Sequence, residues 1–295
     1  MKKMKWIILI IIILITGGYS LARWDSLKEI NKSAISVSDY INYVDSISEN
    51  KVQVNWKYVA AIVGVIENNK FEKATVNEIR EVGKMFITKD NKLNSVEHVL
   101  EQLDFSKTEK ERAYNYIDDL KYYGLTPSKL EENTKYTKFI ESIKEGSIQN
   151  YKKYKILPSI TIAQAILETG WGESKLASDF NNLFGIKADK SWTGEYVTLE
   201  TTEFAGDVIN DRFRKYEDMN QSIYDHAKFL YENKRYNQNG VFSSNTYKYQ
   251  ANALQEAGYS TLMNDEGEKI YAKQLIQLIQ QYNLQLIDSE AQSKN

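Results

Sequence analysis

The stretch from residue 158 to residue 172 has the clearest pattern in this chain of 295 residues. Pro158 is well suited to the first turn of a helix, where a missing N–H costs no hydrogen bond. Apolar residues then recur at helical spacing until Glu168, and Gly170-Trp171-Gly172 follows at once. Glycine commonly ends a helix because it adopts the left-handed conformation without strain. The pattern therefore predicts a helix that ends at an acidic side chain beside a tryptophan.

Glu168 is the strongest candidate for chemistry. At the C-terminal end of a helix, the negative end of the helix dipole opposes a carboxylate charge. Neighbours such as Ile166 and Trp171 would also desolvate the carboxyl, and burial raises a carboxyl pKa. Cleavage of a glycosidic bond needs an acid that stays protonated near neutral pH, so that it can protonate the leaving oxygen. The alternative is an exposed glutamate at a helix end with no chemical role.

The composition excludes several other kinds of site. The chain has no cysteine and two histidines, so a disulfide framework and a thiolate metal site are excluded and a histidine metal site is not expected. The carboxylates are dispersed and lack the spacing of metal ligands, so we predict no metal and no cofactor. A formal net charge of −2 argues against nucleic acid as a partner. Catalysis must then rest on carboxylates, hydroxyls or amides.

The N-terminus predicts a transmembrane anchor over residues 1–23. Three lysines precede an apolar stretch of about 17 residues that begins at Trp6, which is near the lower limit for crossing a bilayer. The positive-inside rule places the N-terminus in the cytoplasm and everything after Arg23 on the outer side of the cell membrane. A cleaved signal peptide is the alternative, with Ser20-Leu21-Ala22 as the cleavage site. The isoleucine-rich run and the bulky Leu21 favour a retained single-pass anchor.

Residues 24–134 form a predicted helical stalk and accessory domain. Apolar residues recur there at helical spacing, and two pairs match the capping box of Ser or Thr followed three residues later by Glu. The pairs are Thr75 with Glu78 and Thr108 with Glu111. This domain either spaces the rest of the chain from the bilayer or docks a membrane-protein partner.

Residues 135–288 form a predicted second domain that combines helices with one β-hairpin. Apolar and polar residues alternate from 196 to 204, and Ala205-Gly206-Asp207 supplies a turn. We place the returning strand at 213–216. Residues 289–295 are predicted to be a disordered tail. The expected fold class is mainly α with a small β-hairpin, of the α+β type.

Two motifs in this second domain closely resemble the glucosaminidases of glycoside hydrolase family 73. The first spans residues 159–174, and the second is Asn182-Leu183-Phe184-Gly185-Ile186-Lys187. The resemblance implies a lysozyme-like catalytic domain that cleaves the β-1,4 bond between N-acetylglucosamine and N-acetylmuramic acid in bacterial peptidoglycan. With its anchor and helical domain, the chain also looks like the membrane-bound cell-wall glucosaminidases of Gram-positive bacteria.

The resemblance assigns roles to two glutamates. Glu168 falls on the family's general acid. Glu203 matches the family's second carboxylate, which lies on a β-hairpin in a Thr-x-Glu context. Strand alternation supports Glu203 independently, because it shares a face with the apolar residues of the strand. Glu200 points to the other face and is the next candidate, followed by Glu195.

Further residues follow from the same resemblance. Tyr259 in Ala257-Gly258-Tyr259 matches a tyrosine of the family, and a phenol there would orient water or the substrate acetamide. The usual continuation, Ala-Thr-Asp-Pro, is replaced in this chain. The predicted sugar-binding residues are Trp171, Asn182, Phe184, Gly185 and Tyr216. Core packing is the alternative for Tyr259 and Trp171.

These observations predict an autolysin-type peptidoglycan hydrolase, an endo-β-N-acetylglucosaminidase held in the cell membrane with its catalytic domain facing the cell wall. Its expected partners are the glycan strands of peptidoglycan. A lytic transglycosylase of the same fold is one alternative, and it would need only the acid. A catalytically silent peptidoglycan-binding scaffold is the other.

Overall fold

A computed structural model describes residues 28–202 and 208–293 of the chain. This described part divides into two compact units. The first comprises 28–47, 55–88 and 94–123, and the second comprises 48–54, 89–93 and the described residues from Gly124 onward. The predicted anchor lies outside the described residues. Within 28–202 and 208–293, no helix combines the length and apolar character that crossing a bilayer requires.

The first unit is built from helices. Those in its described residues are α1 (Val37–Ser48), α2 (Trp56–Ile66), α3 (Val76–Lys84), α4 (Val96–Gln102) and α5 (Lys107–Asp119). Nine of the eleven residues of α2 are buried, and α2 packs against α3 and α5. A helix that is apolar on every side belongs in the middle of a core.

The second unit is mainly helical with one antiparallel two-stranded hairpin, as the sequence predicts for the described residues. Its elements are α6 (Pro127–Leu130), α7 (Lys135–Tyr154), α8 (Pro158–Thr169), α9 (Lys175–Phe180), β1 (Tyr196–Thr202), β2 (Val208–Arg214), α10 (Met219–Glu232), α11 (Lys234–Gln238), α12 (Tyr247–Glu256), α13 (Tyr271–Gln281) and α14 (Gln285–Ser293). The longest continuous segment of the unit begins at Gly124, whereas we place the domain boundary at 135 from the sequence.

Helix α8 is the central element of the second unit. It begins at Pro158, as predicted, and ten of its twelve residues are buried. Helices α7, α12, α13 and α14 pack around it. Because Glu168 lies near the C-terminal end of this helix, the core of the unit holds the candidate acid in place.

The hairpin pairs β1 with β2 over seven residues of each strand. The alternation predicted for β1 is confirmed over its described side chains: Val197 and Leu199 are half-buried, and Tyr196, Thr198 and Glu200 are exposed. The returning strand runs from Val208 to Arg214. It therefore overlaps the predicted range of 213–216 only at its end. The predicted turn at 205–207 lies outside the described residues.

The C-terminal residues form helix α14, so the prediction of a disordered tail from residue 289 is wrong as far as Ser293. Ala291 is fully buried. The Gln292 side-chain oxygen accepts a hydrogen bond from the backbone N–H of Gln53 at 2.7 Å, so the segment 48–54 fastens this helix. Six of the nine residues of α14 are buried although most of them are polar, so the composition of the tail does not indicate its burial.

A buried carboxylate on α14 holds the start of α8. Asp288 is fully buried and accepts hydrogen bonds from the backbone N–H and the hydroxyl of Ser159, at 2.8 and 2.5 Å. Ser159 lies in the first turn of α8, where backbone N–H groups have no partner within the helix. Burial raises the pKa of Asp288 to about 7, although both bonds from Ser159 oppose the rise.

Candidate active site

Glu168 lies in the last turn of α8, one residue before the helix ends. Its side chain reaches solvent, yet the surrounding protein displaces enough water to raise the pKa of the carboxyl above its ordinary value. The cause is desolvation, as the sequence predicts for a carboxyl among apolar neighbours. An acid that is accessible and tends to keep its proton is suited to donating that proton to a bound substrate.

Three consecutive left-handed residues follow the helix. Gly170, Trp171 and Gly172 have φ angles of +58°, +71° and +79°. A Cβ atom at position 172 would lie 2.8 Å from the ring of Phe139, so both space and backbone conformation require glycine there. The hydroxyl of Thr169 accepts the N–H of Gly172 at 2.7 Å and closes the turn. This turn defines the position of the end of α8, and with it that of Glu168.

Trp171 packs within an aromatic cluster. Its ring meets Tyr282 and Tyr136 edge-on at centroid distances of 4.5 and 4.8 Å, and Phe139 lies at 6.1 Å. The tryptophan is half-buried among these rings. The contacts favour the packing alternative over the predicted sugar stacking, because the ring holds the turn after α8 against α7.

Two tyrosines lie close to Glu168. The rings of Tyr259 and Tyr271 are stacked, 5.3 Å apart with 21° between their planes. Burial raises the pKa of both phenols, and the nearby Glu168 carboxylate adds to the rise at each. Gln164, one turn earlier in α8, donates its amide N–H to the oxygen of Tyr271 at 2.9 Å. The Glu168 carboxylate thus acts electrostatically on Tyr259, which the motifs indicate, and on Tyr271, which they do not.

His226 completes this group. Its side chain is 1% exposed and stacks on Phe184, a ring predicted to contact sugar, at 3.8 Å and 8°. Its Nε2 lies 3.0 Å from the oxygen of Tyr259. Burial lowers the pKa of His226 to about 3, so the imidazole is neutral near neutral pH. The sequence signal for this residue is helical spacing alone, which places it on the buried stripe of α10 with Ile223 and Leu230.

Asn182 positions a loop. It is 1% exposed, and its amide donates to the carbonyls of Ile186 and Arg214 at 3.0 and 2.8 Å. Its oxygen accepts the N–H of Ile186 at 3.1 Å. The side chain is thus committed to the backbone, in place of the predicted contact with an N-acetyl group. The nearby Gly185 is exposed at φ +62° with open space around it, so its backbone remains accessible to a ligand.

Tyr216 braces the hairpin against α10. Its hydroxyl donates to Asp225 at 2.6 Å, and Arg214 forms an ion pair with the same carboxylate at 2.7 Å. Tyr216 is 5% exposed and borders an open depression of about 430 Å³ beside Trp192. The lining of that depression does not include Glu168. These contacts give Tyr216 a structural role, and its predicted sugar contact stays a prediction.

The structure describes two of the three candidates for a second carboxylate, Glu195 and Glu200. Glu203 lies outside the described residues. Glu200 is exposed on β1. Glu195 forms an ion pair with Lys215 at 2.7 Å, and hydrogen bonding to that lysine lowers the pKa of Glu195. Among the residues described, no group of three or more His, Cys, Asp or Glu side chains is arranged to hold a metal ion.

A mainly helical domain with a small hairpin, and an accessible carboxylic acid at the end of its central helix, has the features of a glycoside hydrolase. Comparison with known proteins identifies the family. Residues 144–284 match the glucosaminidase model, described as mannosyl-glycoprotein endo-beta-N-acetylglucosaminidase. This part of the chain belongs to the glucosaminidases of glycoside hydrolase family 73, and the resemblance drawn from the two motifs is confirmed.

Relatives match over about half of the chain. The exo-glucosaminidase LytG of Bacillus subtilis is 38% identical over 156 residues, which are 51% of this chain and 52% of LytG. The peptidoglycan hydrolase FlgJ of Vibrio parahaemolyticus is 32% identical over 161 residues, 52% of this chain and 49% of FlgJ. The crystal structure of the catalytic domain of the Listeria monocytogenes autolysin Auto is 36% identical with a TM-score of 0.46, covering 53% of this chain and 89% of that domain. The chain spans about half the length of the curated relatives it matches.

Proposed function

We propose that this chain is a membrane-anchored peptidoglycan hydrolase that cleaves the β-1,4 bond between N-acetylglucosamine and N-acetylmuramic acid. The proposal depends mainly on Glu168. Its accessible carboxyl lies near the end of a buried helix, and desolvation raises the pKa of this carboxyl. The glucosaminidase match over residues 144–284 supports the reaction class. The names of the relatives, an exo-glucosaminidase and a peptidoglycan hydrolase, support the substrate class.

In this proposal Glu168 is the general acid. It gives its proton to the glycosidic oxygen as the bond to the sugar carbon breaks and positive charge develops on the ring. To hold that proton beforehand, it needs a pKa above the roughly 4.3 of an ordinary glutamate. The desolvation around the end of α8 acts in this direction. The phenols of Tyr259 and Tyr271 beside it orient the attacking water or the substrate acetamide.

Glu203 is the proposed partner that activates water or stabilises the developing positive charge. Its Thr-x-Glu context supports this role. Val197 and Leu199 are half-buried on β1, and the alternation of strand residues in the sequence predicts that Glu203 shares their face. Glu200 lies on the exposed face, and Glu195 is engaged in a surface ion pair.

Exchanging each hairpin glutamate for glutamine separates these assignments. We expect Glu203→Gln to lower kcat on purified sacculi by about 10²-fold, the scale of a lost acid–base group. Glu200→Gln is the matched control on the opposite strand face and keeps activity within about twofold. A strong loss in the Glu200 variant alone would move the role to Glu200. Full activity in both variants would favour the lytic transglycosylase, which needs only the acid.

Digestion of purified sacculi tests the proposed activity against the silent scaffold. The full chain is incubated with labelled sacculi, and we expect soluble glycan fragments to be released in proportion to the amount of enzyme. Co-sedimentation measures binding to the same sacculi in parallel. Binding without any release would support the scaffold and contradict the hydrolase.

The cellular location is proposed from residues 1–23. We propose that this segment holds the chain in the cell membrane with the catalytic domain on the outer side, where it meets the glycan strands. The helical domain then acts as a spacer, with docking of a membrane-protein partner as the alternative. Full-length protein in the membrane fraction of cells supports the anchor, whereas a secreted chain beginning after Ala22 would favour a cleaved signal peptide.

A further inference from the structure

His226 connects Phe184, in the loop before the hairpin, with the hydroxyl of Tyr259. We propose that neutral His226 is a positioning residue whose Nε2–H holds the oxygen of Tyr259 and so directs the tyrosine hydroxyl proton toward Glu168 and the substrate. This inference rests on the proposed function, in which Tyr259 serves the reaction beside Glu168.

The imidazole ring is held in one place. It is stacked on Phe184 with only 8° between the planes, and it is almost completely buried. The loop that carries Phe184 is tied to α10, because the N–H of Leu183 donates to the hydroxyl of Ser222 at 3.0 Å. The ring of Tyr259 stands at 85° to the imidazole. This arrangement fixes the direction in which Nε2 points.

The two nitrogens of the His226 ring have different surroundings. Nδ1 is buried and has no hydrogen-bond partner among the described residues, whereas Nε2 faces the oxygen of Tyr259. An unpaired buried N–H is rarer than an unpaired acceptor, because a lost donor leaves its full desolvation cost. The proton of the neutral ring therefore belongs on Nε2. Nε2–H donates, and the oxygen of Tyr259 accepts.

The tautomer of His226 determines whether the Tyr259 hydroxyl can donate a hydrogen bond within the site. The hydroxyl proton of Tyr259 cannot point at a nitrogen that is already donating, so it points away from His226, while the Tyr271 ring is stacked on the tyrosine itself. At the other end of the pair, Gln164 donates into the oxygen of Tyr271. In this tautomer each phenol oxygen accepts a hydrogen bond from a buried donor, so the phenol protons are left for each other and for acceptors in the site. In the other tautomer, Tyr259 would offer only lone pairs.

Variants of His226 test this role. His226→Phe keeps a ring on Phe184 but removes the donor, and we expect kcat on sacculi to fall about tenfold with KM within about twofold, as for one lost hydrogen bond. His226→Gln restores an amide N–H near the position of Nε2 and should recover activity to within about threefold of wild type. His98→Gln changes the other histidine of the chain, in the first unit, and is the matched control. Wild-type kcat in His226→Phe, or equal loss in both folded His226 variants, would overturn the proposal.

A double substitution asks whether His226 acts through Tyr259. Tyr259→Phe removes the oxygen that His226 holds, so adding His226→Phe should lower kcat by less than a further factor of about two. Losses that multiply in the double variant would show that His226 acts elsewhere, and they would contradict the proposal.

The tautomer can also be read in the unsubstituted site. Nitrogen-15 chemical shifts distinguish protonated from bare ring nitrogens, and His98→Gln assigns the signals of His226 in the full chain. We expect a proton on Nε2 and none on Nδ1 throughout the neutral pH range. A proton on Nδ1, or on both nitrogens, would overturn the proposal even if the His226 variants do not fold. A wild-type chain that lacks turnover would contradict the proposed function while leaving this spectrum readable.

Discussion

Glu168→Gln is expected to lower kcat on purified sacculi by about 10³-fold while the protein stays folded, which is within the range for loss of a general acid. Glutamine keeps the size and polarity of the side chain but has no acidic proton to give to the leaving oxygen. The side chain reaches solvent at the end of α8, so its replacement leaves no cavity in the core. Release of labelled fragments measures the rate, and circular dichroism verifies the fold.

Glu173→Gln is the matched control for this prediction. Glu173 is also near the turn after α8, but its side chain is 64% exposed and pairs with Lys135 at the surface at 2.8 Å. Surface ion pairs contribute little to stability, so we expect activity within about twofold of wild type. A folded Glu168→Gln variant with full activity would remove Glu168 from the mechanism.

Asp288→Asn is expected to change how stability depends on pH. The pKa of Asp288 is about 7 in the folded chain and about 3.9 for an ordinary aspartate. The folded state therefore binds more protons at Asp288 between these values, so the contribution of Asp288 to stability falls as pH rises from about 4 to 7 and is constant above. The amide variant lacks this dependence. Relative to wild type, it should gain up to about 4 kcal/mol between pH 4 and pH 8.

Urea unfolding of both chains at pH 5 and pH 8 measures this change. Asp179→Asn, at an exposed position in the same unit, is the control and should follow the wild-type pH dependence. Equal pH dependence in wild type and Asp288→Asn would show that the Asp288 carboxyl ionises as freely in the fold as in the unfolded chain. The expected sign follows from burial, which the two hydrogen bonds from Ser159 only partly offset.

Local sequence patterns predict where a helix starts or ends when that position depends on residues nearby in the sequence. Helix α8 begins at Pro158 and is followed by left-handed glycine, as expected. Thr75 caps α3 by accepting the N–H of Glu78 at 3.2 Å. The second predicted capping box, at Thr108, is wrong, because α5 starts earlier and Ser106 forms the box with Glu109. Both pairs fit the same four-residue rule, so the pattern alone cannot choose between neighbouring starts.

The candidate site shows where local patterns stop being informative. Glu168 and Tyr259 carry motif signals, and the Glu168 carboxylate contributes to the raised pKa of the Tyr259 phenol. His226 and Tyr271 join them from α10 and α13, and their proximity depends on how helices pack around α8. The second motif marks Asn182, but the side chain of this residue forms hydrogen bonds with backbone atoms. A motif marks the position of a polar side chain without showing whether its hydrogen bonds are already used.

The C-terminal helix gives a second example. Residues 289–295 are polar enough to suggest a disordered tail, yet Gln292 is buried in α14 and holds Gln53 by a hydrogen bond. Asp288, just before this stretch, is buried with hydrogen bonds from Ser159. Such contacts depend on partners far away in sequence, at Ser159 and Gln53. Hydrophobic periodicity, which detects helices by their apolar face, is weak when the buried face is polar.

The ends left on the digested glycan test the central claim most directly. Fragments released from sacculi by the full chain are reduced with borohydride and analysed by mass spectrometry. Hydrolysis at the proposed bond leaves reducing N-acetylglucosamine ends, which appear as the corresponding alcohol, and Glu168→Gln should release them about 10³-fold more slowly. Anhydro-muramic ends would contradict hydrolysis and identify a lytic transglycosylase, and reducing N-acetylmuramic acid ends would contradict the proposed bond.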